Sequence, residues 1–189
     1  MSENRHYSVD LTGKKVLVIG SGADLANRFM RDVIDKLPAD GGEYDVVVRC
    51  NKMYGDPLDV GTRTDVAFVR YPEWLIKYNL TNAKHFVSVN GMQLGGRPAS
   101  YYGDWNRREG DALCQEIGIA KASCGALAVN WAKQRGCTKR NLHVIGFGYD
   151  AEHDTFTAQK SYPDGRADMN PAYNWSRENE WLRNNATLL

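Results

Sequence analysis

The stretch that decides the fold is Lys15-Val-Leu-Val-Ile-Gly-Ser-Gly-Ala-Asp24, near the start of this 189-residue chain. Its run of branched apolar residues suits a strand that is buried on both faces of a sheet, and the glycines that follow suit a tight turn. Apolar residues then recur at helical spacing until Pro38, at Leu25, Phe29, Val33 and Leu37. The chain therefore opens as a strand, a glycine turn and a helix.

Further apolar runs predict four more strands, at residues 45–49, 65–69, 85–89 and 142–145. Helical patterns cover residues 106–117, 124–135 and 176–184. Strands that alternate with helices predict an α/β fold, with a mostly parallel, twisted, Rossmann-like sheet flanked by helices. We interpret residues 1–189 as one domain, with a core over about 14–149, followed by a lid or acceptor loop and a C-terminal helix over about 150–189.

The composition argues against several classes of protein. The formal net charge is +1, from 24 basic and 23 acidic residues, so no overall field attracts nucleic acid or anionic lipid. No apolar run reaches the roughly 18 to 20 residues of a membrane span, and residues 1–10 lack the apolar core of a secretory signal. We therefore expect a cytoplasmic protein without membrane contact. The 4 cysteines are irregularly spaced, which indicates free thiols rather than a metal site.

Three short clusters lie where a parallel sheet of this kind binds ligands. Gly20-Ser-Gly22 follows the first strand, and its amides could approach a phosphate or simply form a tight turn. Asn51 follows the second strand and can donate to and accept from a base or ribose, or form an Asx-turn. Ser123 opens the helix at 124–135, where it can cap the helix or face an anion. We expect these three clusters to meet in one cleft.

Together, these clusters resemble the two nucleotide-binding motifs of the sialyltransferase family. The residues similar to the large motif are Val-Ile-Gly-Ser-Gly-Ala-Asp-Leu at 18–25, Val-Val-Val-Arg-Cys-Asn-Lys at 46–52 and Asp-Val-Gly-Thr-Arg-Thr-Asp at 59–65. Those similar to the small motif are Ser-Cys-Gly at 123–125 and Val-Ile-Gly-Phe-Gly at 144–148. In that family the two motifs bind the cytidine nucleotide of a CMP-sugar without a metal. The likeness is to a small soluble member of bacterial or viral type.

The resemblance implies a donor site at the carboxyl ends of the strands. The residues that it assigns to the donor are Gly20, Ser21, Gly22, Asp24, Asn51, Ser123, Cys124, Gly125, Gly146, Phe147 and Gly148. The first four would lie near phosphate and ribose, and Asn51 on the nucleotide. The residues from 123 to 125 would surround the phosphate or a sugar carboxylate, and those from 146 to 148 would close the pocket. Because the nucleotide-sugar is itself the donor substrate, neither a further cofactor nor a metal is expected.

The chain departs from the family at the position of the base. The family's last motif is a histidine, four residues and a glutamate, whereas residues 173–178 here are Tyr-Asn-Trp-Ser-Arg-Glu. Tyr173 replaces the histidine, and a tyrosine of ordinary pKa near ~10 is a poor base at neutral pH. The loop after the fifth strand offers other candidates, which are His153, Asp154, Asp164 and Asp168. Glu178 shares a helical face with two tryptophans and is expected to orient or satisfy neighbouring groups.

These features predict an inverting, metal-independent glycosyltransferase. It would move a sugar from a CMP-linked or other pyrimidine-nucleotide donor to a hydroxyl acceptor such as a glycan. A second interpretation is an inactive nucleotide-binding sensor that has kept the pocket and lost the base. A Rossmann-type oxidoreductase fits less well, because the second strand has no terminal acid for a ribose. The oligomeric state is not indicated.

A further alternative is a virus-type enzyme that glycosylates hydroxymethylated DNA bases from a UDP- or CMP-sugar. Its phosphate contacts would come from Arg107, Arg108, Lys133, Arg135, Lys139 and Arg140. Tyr101, Tyr102 and Trp105 would stack on an extruded base. The other interpretation of these basic pairs is a solvated helix face.

Overall fold

Six parallel strands form the central sheet of this computed structural model, which describes residues 9–51, 56–71, 83–89, 107–156 and 173–189. The strands are β1 (Val16–Ile19), β2 (Val46–Cys50), β3 (Val66–Val69), β4 (His85–Ser88), β5 (Leu142–Ile145) and β8 (Thr187–Leu188). Their spatial order is β4, β3, β2, β1, β5, β8. The predicted α/β class and parallel sheet are thus confirmed. Strand β8 is an addition that the sequence pattern did not indicate.

Five α-helices lie among the described residues. They are α1 (Arg31–Asp35), α2 (Pro57–Val60), α3 (Arg107–Ile117), α4 (Cys124–Gln134) and α5 (Trp175–Asn185). The last three confirm the predicted helices to within one residue at each end. A small antiparallel hairpin of β6 (Tyr149–Asp150) and β7 (Thr155–Phe156) follows β5. It occupies the start of the segment that was predicted to be a loop.

The helix predicted after the glycine turn is shorter than its apolar spacing indicates. Asn27 and Phe29 have left-handed backbones, with φ of 58° and 49°, and these conformations interrupt a right-handed helix. Phe29 is 75% exposed and Leu37 46%, so the apolar residues between 25 and 37 do not share one buried face. The prediction of a single helix over this stretch was therefore wrong, and α1 covers only its middle.

Each face of the sheet has its own hydrophobic cluster, because successive side chains of a strand point to opposite sides. On one face Val16 and Val18 pack with α4, whose Trp131 is fully buried beside Phe68. On the other face the residues of β1 that alternate with them pack against α1 and α2. A sheet covered on both faces explains the continuous apolar strands, and it leaves the carboxyl ends of the strands as the open edge.

Part of the motif at 59–65 lies at the opposite, amino edge of the sheet. The guanidinium of Arg63 donates to the carbonyls of Tyr44 (2.9 Å) and Asp45 (2.8 Å), and it pairs with Asp65 at 2.8 Å. These partners precede β2 and β3, so Arg63 fastens the loops that enter the two strands. Arg49, although close to Asn51 in sequence, is 1% exposed and donates to carbonyls before β3, and burial lowers its pKa to about 10. Neither arginine shares a site with Asn51.

The cysteines are free thiols, and three of them, Cys50, Cys124 and Cys137, are buried. Burial raises the pKa of Cys137 to about 11, which keeps this thiol protonated at neutral pH. Within the described ranges, no helix has the length and apolar content needed to cross a lipid bilayer.

Candidate functional site

Two glycine-rich turns meet at the carboxyl ends of β1 and β5, and we call this contact the glycine crossing (Gly20–Asp24 with Gly146–Gly148). The amide of Gly20 donates to the carbonyl of Ile145 at 2.8 Å, and the amide of Gly22 donates to the carbonyl of Gly146 at 2.7 Å. The strand order reverses between β1 and β5, which is where open α/β sheets usually bind ligands. Here, the two turns bind each other across that position.

Asp24 binds the second turn through three backbone amides. Its carboxylate accepts from Gly146 at 2.8 Å, from Phe147 at 3.2 Å and from Gly148 at 2.7 Å. The amides that were expected to face a phosphate at Gly20 and Gly22, and those at 146–148, thus already have acceptors within the chain. The assignment of these residues to the donor stays a prediction, but a ligand beside them would have to be bound by other groups.

The glycines of the crossing are required by the close approach of the chain to itself. A Cβ atom on Gly20 would lie 2.3 Å from the carbonyl oxygen of Gly146, far inside van der Waals contact. A Cβ atom on Gly125, at the start of α4, would lie 2.4 Å from the ring of Phe147. Phe147 therefore joins the crossing to α4, and the first and third predicted clusters do come together.

Asn51 is joined to the loop before α4 through Arg70. Its backbone is left-handed, with φ of 57°, and its amide donates to the carbonyl of Phe68 at 2.8 Å. Its side-chain oxygen accepts from the backbone amide of Arg70 at 3.0 Å. The guanidinium of Arg70 donates in turn to the carbonyl of Ala122 at 2.9 Å. The second predicted cluster therefore lies next to the third, at the carboxyl ends of β2 and β3.

Ser123 caps α4 and is itself held by Glu178 from the C-terminal helix. Its hydroxyl oxygen accepts from the amide of Ala126 at 3.1 Å, and its own amide donates to Glu178 at 2.7 Å. Glu178 is 1% exposed, and the neighbouring Cys124 and Gly125 are also buried. A buried carboxylate that holds a backbone amide is a positioning group, so Glu178 fixes the start of α4 from 55 residues away.

A cavity of about 640 Å³ opens beside Arg70 and Ala122, on the side of β3 and β4. The described residues that line it are Arg70, Val89, Arg107, Gly110, Asp111, Cys114, Ala120, Lys121, Ala122 and Leu127. Three of these side chains are cationic and one is acidic. Neither the glycine crossing, nor Asn51, nor Ser123 contributes to this lining. The space is thus displaced from the crossing toward the other half of the sheet edge.

Tyr173 lies next to this cavity. Its ring stacks on Trp175, with 4.9 Å between ring centroids, and the ammonium of Lys121 lies 5.2 Å from the centroid of the Tyr173 ring. Lys121 lines the cavity. Tyr173, which replaces the family's histidine, therefore contacts a residue of the cavity wall.

His153 and Asp154 lie instead in the turn of the hairpin. His153 Nδ1 is 2.8 Å from Asp150 Oδ2, which orients the imidazole. Asp154 accepts from the hydroxyl of Tyr149 and from Arg183 of α5, and these hydrogen bonds hold its pKa below the usual value. A lower pKa makes Asp154 a weaker base. Asp164 and Asp168 lie outside the described residues.

The basic residues considered for DNA contact do not form one free surface. Arg135 pairs with Glu109 at 3.3 Å and donates to the carbonyl of Trp131, and Lys133 bonds to Asn185. Both side chains thus bind other parts of this chain. Tyr101, Tyr102 and Trp105 lie outside the described residues. No contact within the described ranges favours an interaction with DNA.

Sequence reasoning did not identify Arg70 and Lys121. Arg70 directly follows β3. Polar residues at the carboxyl ends of parallel strands often face a ligand, and the same reasoning that selected Asn51 after β2 would have selected Arg70 after β3. Lys121 has no such signal, because only the fold brings it beside Arg70 and Tyr173. Within the part of the chain that is described, no group of three His, Cys, Asp or Glu side chains could hold a metal ion.

Comparison with known proteins gives a match in structure. No family model matches the chain, and no curated protein matches its sequence. The solved structure of a mammalian sialyltransferase in complex with Gal-beta-1-3GalNAc-ortho-nitrophenol is similar, with a TM-score of 0.53. The match covers 93% of this chain and 68% of that chain, at 16% sequence identity. The two proteins therefore share a fold, in agreement with the resemblance of the motifs.

Proposed function

We propose that this chain is a glycosyltransferase that uses a pyrimidine-nucleotide sugar of CMP type and glycosylates a hydroxyl of a glycan. The observation that carries the proposal is the series of hydrogen bonds from Asn51 through Arg70 to Ala122, the residue before Ser123, beside a cavity of about 640 Å³. The fold shared with a mammalian sialyltransferase supports the reaction class, and the glycan compound in that structure supports a glycan acceptor.

We infer that two side chains recognise the donor. Asn51 uses its oxygen to bind the amide of Arg70, and among the described residues its NH₂ group has no acceptor, so it would donate to a pyrimidine carbonyl or a ribose hydroxyl. Ser123 accepts from Ala126 and keeps its own hydroxyl proton, which can be donated to a phosphate oxygen. The amino end of α4 adds a partial positive charge at the same place.

The proposed reaction is an inverting displacement without a metal. The bond between the anomeric carbon and the phosphate oxygen breaks, and the nucleotide leaves with the electron pair. The acceptor oxygen forms its bond to the opposite face of the anomeric carbon, and its proton passes to a base. Positioning and stabilisation of the leaving phosphate supply the catalysis that the protein can contribute apart from that base.

Two variants distinguish His153 from Tyr173 as the base. His153 donates through Nδ1 to Asp150, which leaves Nε2 to accept a proton. Tyr173 lies next to the cavity through its contact with Lys121. Turnover that is lost in His153→Gln but kept in Tyr173→Phe assigns the base to His153. The opposite result assigns it to Tyr173.

A thermal-shift and turnover screen tests the function. CMP, UMP, UDP and their sugars are added to the full chain, and CMP is expected to raise Tm because a ligand bound only by the folded state stabilises it. Release of CMP from a CMP-sugar then establishes an enzyme, whereas binding without release establishes the sensor.

Asn51→Asp is the variant that tests the donor site. Aspartate retains the oxygen that accepts from Arg70 and tolerates the left-handed backbone, but it loses the NH₂ donor and adds a charge that repels phosphate. We expect at least about a tenfold weaker affinity for CMP. Asn27→Asp is the matched control, because Asn27 is an exposed asparagine with nearly the same φ, 58°. Equal CMP binding by both variants would show that the donor does not lie at Asn51.

A further inference from the structure

We propose that Arg70 and Lys121 form an oxyanion-binding pair in the cavity, which holds the phosphate or the carboxylate of the donor. This inference rests on the proposed function, and it assigns the anionic group to two cations that the motif resemblance does not include. The pair is defined by the cavity that both side chains line and by the contact of Arg70 with Ala122, the residue next to Lys121.

The balance of charge in the cavity points to these two residues. Its described lining carries three cations and one acid, which is Asp111. Asp111 lies 4.0 Å from Arg107 on the same helix, and the side chain of Arg107 is 91% exposed. These two charges therefore offset each other near solvent. Within the described residues, Arg70 and Lys121 have no carboxylate partner, so the lining that is described keeps a positive charge.

Both cations are held in place by neutral groups. One guanidinium nitrogen of Arg70 donates to the carbonyl of Ala122, and among the described residues the other guanidinium N–H groups have no acceptor and could bind a ligand. The ammonium of Lys121 lies over the face of the Tyr173 ring, which attracts a cation without neutralising it. Tyr173 is thereby a positioning residue for Lys121.

Two cations in neighbouring positions repel each other, and a bound anion removes that cost. An arginine and a lysine together offer a planar fork and a point charge, both of which suit phosphate and carboxylate oxygens. The glycine crossing cannot perform the same task with its amides at Gly20, Gly22 and Gly146–Gly148, because these already donate within the chain. Arg70 and Lys121 would supply full positive charges that these amides do not offer to a phosphate.

Calorimetric titration of the full chain with cytidine, CMP and inorganic phosphate tests the pair. In the wild-type protein CMP is expected to bind at least about tenfold more tightly than cytidine, since only CMP carries the phosphate. In Lys121→Gln that advantage should fall to less than about threefold while the affinity for cytidine is unchanged, and Lys121→Arg should restore it. Arg70→Lys, which keeps the charge but loses the fork, should give an intermediate advantage. The matched control is Lys139→Gln, at an exposed lysine before β5, which should behave as the wild type.

The outcomes separate the pair from the proposed function. If Lys121→Gln keeps the full CMP advantage over cytidine and its Tm matches the wild type, the oxyanion pair is wrong while the nucleotide function stands. If neither CMP nor cytidine binds, but inorganic phosphate binds in a Lys121-dependent way, the pair is correct and the proposed function fails.

A comparison of free sugars distinguishes phosphate from carboxylate as the group that the pair holds. A sugar that carries a carboxylate is titrated beside a neutral hexose. Lys121-dependent binding of the acidic sugar assigns the pair to the carboxylate. Its absence, together with a Lys121-dependent CMP advantage, assigns the pair to the phosphate.

Discussion

The glycine crossing and the cavity occupy two halves of the same sheet edge, and they differ in what their polar groups bind. In the crossing, the amides of Gly20, Gly22 and Gly146–Gly148 all donate to acceptors of this chain. At the cavity, Arg70 and Lys121 present donors that are only partly used. The first region is satisfied by its own contacts, and the second has space and charge to offer a ligand.

This difference shows that glycines at a strand end have two physical explanations. A missing Cβ atom lets a ligand approach the backbone, but it equally lets another turn of the same chain approach. The atom nearest to a Cβ on Gly20 is the carbonyl oxygen of Gly146, at 2.3 Å, so here the second explanation accounts for the glycine. The choice between the two explanations depends on contacts between residues that are far apart in the sequence.

The largest expected effect is on stability, from Gly20→Ala in the crossing. The added methyl group meets backbone atoms that cannot turn aside, so we expect a loss of about 3 kcal/mol in the free energy of unfolding. Gly13→Ala is the control, because Gly13 has a left-handed φ of 70° but no atom within 4 Å of the place that an added methyl group would occupy. Its cost is backbone strain alone, about 1 kcal/mol. Urea denaturation measures both, and equal losses would contradict the close contact in the crossing.

Glu178→Ala should have the next largest effect, on the side of the cavity. The substitution leaves the buried amide of Ser123 without its acceptor, which costs about 2 kcal/mol. Glu180→Ala, at an exposed position of the same helix, should change stability by less than about 0.5 kcal/mol. The same two variants are compared in CMP binding, where only the first should be weakened. Unchanged CMP affinity in Glu178→Ala would show that Ser123 need not be held for the donor to bind.

Gly125→Ala should have a smaller effect on stability. Gly125 lies at the start of α4 and is covered by a side chain of the crossing, not by its backbone. The added methyl group meets the ring of Phe147, which can rotate or shift, so we expect a loss of about 1 kcal/mol. Phe147→Leu shortens the obstructing group, and the double variant should be more stable than the sum of the two single losses predicts. A double-mutant cycle by thermal denaturation measures this coupling. Strict additivity would indicate that Phe147 does not lie over Gly125.

The smallest effect lies outside both regions and concerns His143 in β5. Burial lowers the pKa of His143 below its ordinary value, so the unfolded chain binds this proton at a higher pH than the folded chain. The contribution of His143 to stability is therefore present above about pH 6.5 and declines as the pH falls below that value. The slope of the unfolding free energy between about pH 7.5 and about pH 5.5 should flatten in His143→Gln. An unchanged slope would assign the acid sensitivity to other groups.

The sequence predicted the parts of the fold that depend on local pattern. Strands β1 to β5 follow from branched apolar runs, and α4 follows from Ser123 and the apolar helix after it. The single helix over 25–37 was wrong because spacing does not show that Asn27 and Phe29 adopt left-handed backbones.

The site was less predictable because its contacts connect distant residues. Asp24 binds amides that lie 122 to 124 positions away, so its role in the crossing could not be inferred from the glycine motif. Arg70 reaches Ala122 across 52 positions, and Lys121 meets Tyr173 only through the packing of the C-terminal helix. The motif resemblance predicted a site at the carboxyl edge of the sheet, but it could not show that the cavity lies beside β3 and β4.

A titration of the ¹⁵N-labelled full chain with CMP, followed by nuclear magnetic resonance, tests the central claim most directly. Bound nucleotide should shift the amide resonances of Arg70, Lys121 and Ser123, while those of Gly22 and Gly146 stay within measurement error. Large shifts at these two glycines, with Arg70 and Lys121 unaffected, would contradict the account and return the donor to the glycine crossing.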